Sequence, residues 1–207
     1  MNSSQRIKSY MPEYWEQAYQ AGDMEWDLGG PTPIYSQWID SQKDTLTICI
    51  LGAGNGWDAI NIAKKGHSVT AVDFARSAIK NMHNIAEEEK VKLNLVQADI
   101  FDLGTIYDSC FDVVLEYTCY CAIHPSRRID YVDIVHKILK PHGKLVALFF
   151  PIDKILNDDG PPFGVDLDLT LKSFFKYFSL ITKKISNLSI DQRNGREIFV
   201  ILSKNGD

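Results

Sequence analysis

No run of about 18 apolar residues occurs anywhere in the chain, so a membrane-spanning helix is not expected. Cysteine is scarce, at four in 207 residues: Cys49, Cys110, Cys119 and Cys121. Cys119 and Cys121 form a C-x-C pair, and no second pair completes a four-ligand zinc set, so no metal is expected. The expected reading is four reduced thiols in a cytoplasmic protein, with Cys49 in the core. Positive charge is in deficit, with 22 Lys and Arg against 27 Asp and Glu for a net charge of −5. That argues against bulk attraction to nucleic acid or an anionic membrane. Residues 1–10 are polar and lack the apolar stretch of a signal peptide. There is no internal repeat and no low-complexity tract. What is present is ordinary for a globular protein: 45% hydrophobic and 24% charged residues. The length suits one domain over 1–207, with a core large enough to need neither disulfides nor metal. A small-molecule partner and a monomer or weak dimer are the expectation.

Strand-like and helix-like segments alternate. Residues 45–51 (TLTICIL) are an apolar, β-branched run ending at glycines, and read as a buried strand. Residues 56–66 read as a helix stopped by Gly66, and 68–72 as a second strand. A helix over 77–88, a strand over 92–97 and a strand over 111–116 follow. An amphipathic helix over 127–139, closed by Pro141 and Gly143, precedes a fifth strand over 144–150. This alternation predicts a doubly wound α/β fold with a mostly parallel sheet and helices on both faces. The ligand site is then expected beyond the carboxyl ends of the strands, near the first one. Residues 151–164 form a turn-rich loop. After it come a helix near 169–177 and strands over 178–188 and 196–203, expected to pair as a terminal antiparallel hairpin. Two short helices, 12–21 and 33–39, precede the first strand.

Gly52-Ala53-Gly54-Asn55-Gly56 lies between the first strand and the first core helix. Glycines there permit a tight turn and close approach of backbone to a ligand, and the helix beyond offers free N–H groups. Dinucleotide sites prefer G-x-G-x-x-G, but the sixth position here is Trp57, too bulky to lie against a pyrophosphate. The loop suits a ligand without a diphosphate, such as S-adenosyl-L-methionine. Asp73 follows at the end of the second strand, where a carboxylate can accept both ribose hydroxyls or cap the next helix. Asp99 ends the third strand, where it can accept from an adenine amino group while Ile100 packs on the ring, or simply turn the chain.

Five stretches together resemble the thiopurine S-methyltransferase-like family, in particular its branch acting on halides, thiocyanate and small thiols. They are YWEQAYQAGDMEWDLGGPTP, LGAGNGWD, AVDFARSAI, FDVVLEYTCYCAIHPSRR and LKPHGKLVALFFPI followed by DGPPFGV, spanning about 14–167. The resemblance implies a class I, Rossmann-like methyltransferase fold with S-adenosylmethionine as methyl donor. It implies that residues 1–44 form a helical lid, 45–150 the cofactor core, and 151–207 an acceptor loop and hairpin. By position it makes Trp15, Trp26 and Tyr19 a cover over the cofactor, Tyr19 standing where the family often has Trp. It also assigns Gly52, Asp73, Asp99, Ile100 and Tyr117 to the cofactor, alongside Gly54 of the glycine loop. Ala53 replaces a frequent Cys, and Phe150 stands where plant relatives commonly carry Tyr. That lost hydroxyl removes one donor to an anionic acceptor, which weighs against halides more than against thiols.

A soft nucleophile needs alignment and a dry site more than a strong base. Tyr120, His124 and Arg127 near the fourth strand, with Phe150, are candidates for the acceptor pocket. The simpler readings are that His124, before Pro125, caps a helix, and that Arg127 and Arg128 are solvated first-turn charges. Two rivals remain at this stage: a protein that binds S-adenosylmethionine without turnover, and a nicotinamide-dependent oxidoreductase. Trp57 and the lack of a second catalytic domain speak against the latter.

Overall fold

The computed structural model of the chain describes residues 9, 11–157 and 160–206. Residues 1–8 and 10 of the polar leader, 158–159 of the turn-rich loop, and 207 lie outside the described residues. The first buried run forms β1 (Thr47–Leu51), flanked in parallel by β2 (Ser68–Asp73) and β4 (Phe111–Tyr117). Parallel pairing continues to β3 (Asn94–Gln97) on one side and β5 (Leu139–Phe149) on the other. Beyond β5 the hairpin strands β6 (Phe178–Ile185) and β7 (Ile198–Lys204) turn antiparallel, with β7 inserted against β5. The seven-stranded order is β3-β2-β1-β4-β5-β7-β6.

Period-two alternation sorts the side chains of these strands between two layers. Ile48 and Ile50 of β1, with Val113, Leu115, Val146 and Leu148, face α2 (Pro33–Asp40), α3 (Trp57–Lys64) and Met82 of α4 (Arg76–Glu88). Cys49 and Leu51, with Val114, Leu145, Ala147 and Phe149, face α6 (Arg128–Ile138) and α7 (Leu167–Phe174). Covering on both faces is why these strands read as unbroken apolar runs. Outside this frame lie α1 (Pro12–Ala21), with Pro at its start and left-handed Gly22 at its end, and the short α5 (Leu103–Ile106).

The expected elements are present, with shifted edges. The third strand begins at Asn94, not 92, and the hairpin strands are 178–185 and 198–204. Pro141 and Gly143 do not separate α6 from the fifth strand, which starts at Leu139 directly after the helix. Leu139 pairs with Phe111 and Lys144 with Val113, so the intervening residues bulge out of the ladder at left-handed His142. A short α5 leaves too little periodicity to read in the sequence. All four cysteines are free thiols, and among the described residues no helix is long and apolar enough to cross a membrane.

Candidate functional site

Strand order reverses at β1, whose neighbours β2 and β4 leave in opposite directions, and a crevice opens there beyond the carboxyl ends of the strands. It is a cavity of about 600 Å³, into which the turns after β1, β2, β3, β4 and β5 each send residues. Gly52 (φ 61°) and Gly56 (φ 80°) are left-handed. A Cβ on Gly52 would meet the Cys119 side chain at 3.1 Å, and one on Gly56 would collide with Met82 Cγ at 2.1 Å. The turn therefore needs glycine both for its conformation and for its space. Thr118, after β4, is also left-handed (φ 60°), a strained position for a residue with a side chain, and it lines the same cavity.

Asp73 ends β2 at the cavity floor. Its Oδ2 accepts from the Gly54 N–H (3.0 Å) and its Oδ1 from the Ala75 N–H (2.9 Å). Burial pushes its pKa up to about 6 against these two donors. Each oxygen has a further lone pair, so the carboxylate can hold the glycine turn and still accept from a ligand. The carboxylate does bond near the start of α4, at Ala75, so the turn-holding and ligand-accepting readings are compatible. Asp99 caps the 3₁₀ turn Ile100–Asp102 through the Phe101 N–H (3.0 Å), and Asp99, Ile100 and Phe101 all line the cavity.

The N-terminal segment lies across this end. Trp15, Tyr19 and Trp26 meet edge to face, with ring centroids 5.2 Å and 5.6 Å apart, and pack on Ala75 and Ala78 of α4. All three line the cavity. Glu16 of α1 accepts from both the N–H (2.9 Å) and the hydroxyl (2.6 Å) of Ser77, capping a helix whose own cap residue, Ala75, cannot. Those bonds hold the Glu16 carboxyl below its usual range. Asp27 accepts from Trp57 Nε1 (2.8 Å) and from Asn55 Nδ2. The bulky sixth residue of the glycine motif thus turns away from the cavity and fastens the N-terminal segment.

The other wall is apolar and cationic. Arg127 lies 3.5 Å over the Phe101 ring, and Arg193 and Arg196 lie 5.0 Å and 5.1 Å from the centre of Phe150. Ile123, His124, Pro161 and Pro162 complete it. His124 caps the 3₁₀ turn Pro125–Arg127 through the Ser126 N–H, as its X-Pro position suggested. Cys119 and Cys121 face the cavity, but burial raises both thiols, Cys121 to about 12, so neither is a ready nucleophile.

Several expected residues stand elsewhere. Among the described residues, those lining the cavity do not include Gly54, Tyr117 or Tyr120. Gly54 instead turns its N–H to Asp73. Tyr117 sits against the opposite layer, beside Tyr35, and its hydroxyl donates to Glu197 (2.8 Å). Tyr120, only 2% exposed, is carried into the core between Tyr131, Phe149 and Phe174 because its N–H is drawn to Glu116 Oε1 (2.7 Å). Arg128 is not solvated: it is buried, donates to the Gly164 carbonyl (2.9 Å) and lies over the Tyr120 ring. Sequence reasoning missed Glu116, Arg193 and Arg196. Glu116 did carry a signal, a charged residue near the end of a strand whose middle is apolar, and burial pushes it up to about 7. The two arginines sit in the hairpin connection, where no local pattern marks them.

A doubly wound sheet with its glycine turn at the switch point, Asp73 ending β2 and Asp99 just after β3 defines a Rossmann-like fold of the class I methyltransferase type. The chain belongs to the thiopurine S-methyltransferase (TPMT) family, whose sequence model matches residues 10–198. It is similar to a probable thiol methyltransferase 2 of Arabidopsis thaliana, 28% identical over 187 residues, which cover 88% of this chain and 81% of the relative. It is also similar to thiocyanate methyltransferase 1 of Brassica oleracea, 28% identical over 205 residues, covering 93% and 88%. The fold is shared with the 1,6-didemethyltoxoflavin-N1-methyltransferase of Burkholderia thailandensis, solved with bound 1,6-didemethyltoxoflavin and S-adenosylhomocysteine. The TM-score is 0.74 at 17% identity, over 100% of this chain and 94% of that one. The enzyme is therefore a methyltransferase with S-adenosyl-L-methionine as its methyl donor.

Proposed function

We propose that the acceptor is a small, soft nucleophile: a thiol, sulfide, thiocyanate or halide, with thiols favoured over halides. The observation that carries this reading is a single cavity with two unlike walls. Carboxylates Asp73 and Asp99 stand over the ends of β2 and β3, while Phe150, Arg193 and Arg196 stand beyond β5. Carboxylates at these positions suit the hydroxyls and amine of a cationic nucleoside. Guanidinium groups stacked on phenylalanine suit a polarizable, anionic acceptor. The names of the plant relatives agree with that chemistry.

In this reading Gly52, Asp73, Asp99 and Ile100 hold the cofactor, Trp15, Tyr19 and Trp26 cover it, and Arg127, His124 and Phe150 face the acceptor. When bound, S-adenosylmethionine supplies an activated sulfonium methyl group. The chain's part is to align the acceptor, keep it ionised and exclude water, and alignment of this kind lowers a barrier by roughly 7–11 kcal/mol. Among the described residues no strong base lines the acceptor wall, and an ordinary thiol, with a pKa of about 8.5, needs little help to ionise. The chain works in this scheme as one unit, with 1–44 as lid, 45–150 as core and 151–207 as acceptor loop and hairpin.

The test is a panel of thiophenol, hydrogen sulfide, thiocyanate and iodide with methyl-labelled S-adenosylmethionine, reading volatile labelled product. Label is expected in the methyl thioethers first. A protein that binds S-adenosylhomocysteine yet yields no labelled product in any arm of the panel would overturn the reading.

A further inference from the structure

We infer that Arg193 is a latch: from the acceptor wall it holds the N-terminal segment closed over the cavity, and so sets how long the cofactor stays. This rests on the methyltransferase reading of the cavity given above.

Arg193 Nη2 donates to the backbone carbonyl of Trp26 at 2.9 Å, across 167 residues of sequence. The guanidinium is fixed before it reaches that carbonyl. The residue ends the 3₁₀ turn Asp191–Arg193, with its N–H on the Ile190 carbonyl (2.9 Å), and it is 5% exposed. It lies over the rings of Tyr117 (4.9 Å) and Phe150 (5.0 Å), and Tyr117 is itself anchored by Glu197. A buried cation placed this rigidly loses little entropy on bonding, and a charged donor to a carbonyl is among the stronger hydrogen bonds. Its Nη1 is buried with no hydrogen-bond partner among the described residues, so the Trp26 carbonyl is the acceptor on which this end of the guanidinium depends.

The next residue of the segment is held from the other side. Asp27 accepts from Trp57 and Asn55, which belong to the glycine turn and the start of α3. The Trp26-Asp27 step is thus pinned at two points, one on the cofactor core and one on the C-terminal hairpin. Trp26 packs on Trp15 and Tyr19, so releasing this step takes one ring out of the aromatic cover and loosens the other two. The bond ends on backbone, so the side chain at position 26 does not itself make the latch.

The experiment compares release of S-adenosylhomocysteine by stopped flow from wild type, Arg193→Gln, Arg193→Lys, Asp27→Ala and the Arg193→Gln/Asp27→Ala double variant. Losing one charged hydrogen bond predicts release faster by roughly ten- to hundred-fold in Arg193→Gln. Arg193→Lys keeps the charge and a donor, and falls between, with an unliganded melting temperature near that of wild type. Both pins must break before the step opens, so the double variant releases faster than either single one. If Arg193→Gln does not fold, the Lys variant carries the test. Release at the wild-type rate from Arg193→Gln overturns the latch, as does a double variant that releases no faster than Asp27→Ala alone. A folded wild type that binds no S-adenosylhomocysteine overturns instead the reading of the cavity, and the latch with it.

Discussion

Asp73→Asn is the most direct perturbation of the cofactor site. In the native protein each carboxylate oxygen receives one backbone N–H, from Gly54 at 3.0 Å and from Ala75 at 2.9 Å. Asparagine keeps one oxygen and sets an NH2 group against the other donor, which loses its partner at a cost of roughly 1–3 kcal/mol. In a chain of this size about 2 kcal/mol lowers the melting temperature by roughly 4–8 °C. Removal of a buried charge offsets part of that, since burial outweighs the backbone hydrogen bonds and leaves Asp73 raised from its ordinary 3.8 to about 6. The effect on the ligand is larger in consequence. Loss of a charged acceptor for the ribose hydroxyls is worth roughly 1.5–3 kcal/mol, or about ten- to hundred-fold in Kd. The assay is calorimetry with S-adenosylhomocysteine, which shares the adenosine and does not react. Ribose donors favour the ionised carboxylate, so wild-type affinity falls as pH drops through about 6, and the Asn variant lacks that fall. A folded Asp73→Asn protein that binds as tightly as wild type at about pH 8 refutes the assignment of this carboxylate to the ribose.

Phe150→Tyr restores a hydroxyl donor beside Arg193 and Arg196, and is expected to raise kcat/KM for iodide or thiocyanate relative to thiophenol several-fold. An unchanged ratio in competition assays counts against Phe150 as part of the acceptor wall. Burial raises Glu116 from its ordinary 4.5 to about 7, so its contribution to stability is fullest at acid pH and is lost as pH rises through about 7. Asp58 and Asp73, both raised to about 6, act in the same direction. Thermal scans are therefore expected to show the melting temperature falling from about pH 5 to about pH 8, and Glu116→Gln to lose the upper part of that fall. Parallel curves for the two proteins would assign the slope to other groups.

The order of strands and helices, the glycine turn and the acidic residues after β2 and β3 could all be read from the chain. Each is a local pattern: β-branched runs, a period near 3.6, and glycines where φ is positive. Trp57 in place of glycine was legible as a departure from dinucleotide sites. That it faces away and fastens Asp27 was not, because the contact spans 30 residues. Tyr120 stood in the right stretch of sequence but entered the core, since the buried Glu116 carboxylate captured its N–H. Arg128 read as a solvated first-turn charge and no local pattern marked Arg193, and only packing shows both buried on aromatic rings. Backbone conformation and burial periodicity are set by neighbours in the chain, so composition and spacing determined the fold class and the half of the site built on strand ends. The acceptor wall and the closure of the N-terminal segment are made by side chains far apart in sequence, where the energy lies in desolvation and long-range pairing. Those were decided only when the hairpin folded back against β5 and brought Arg193 to the Trp26 carbonyl.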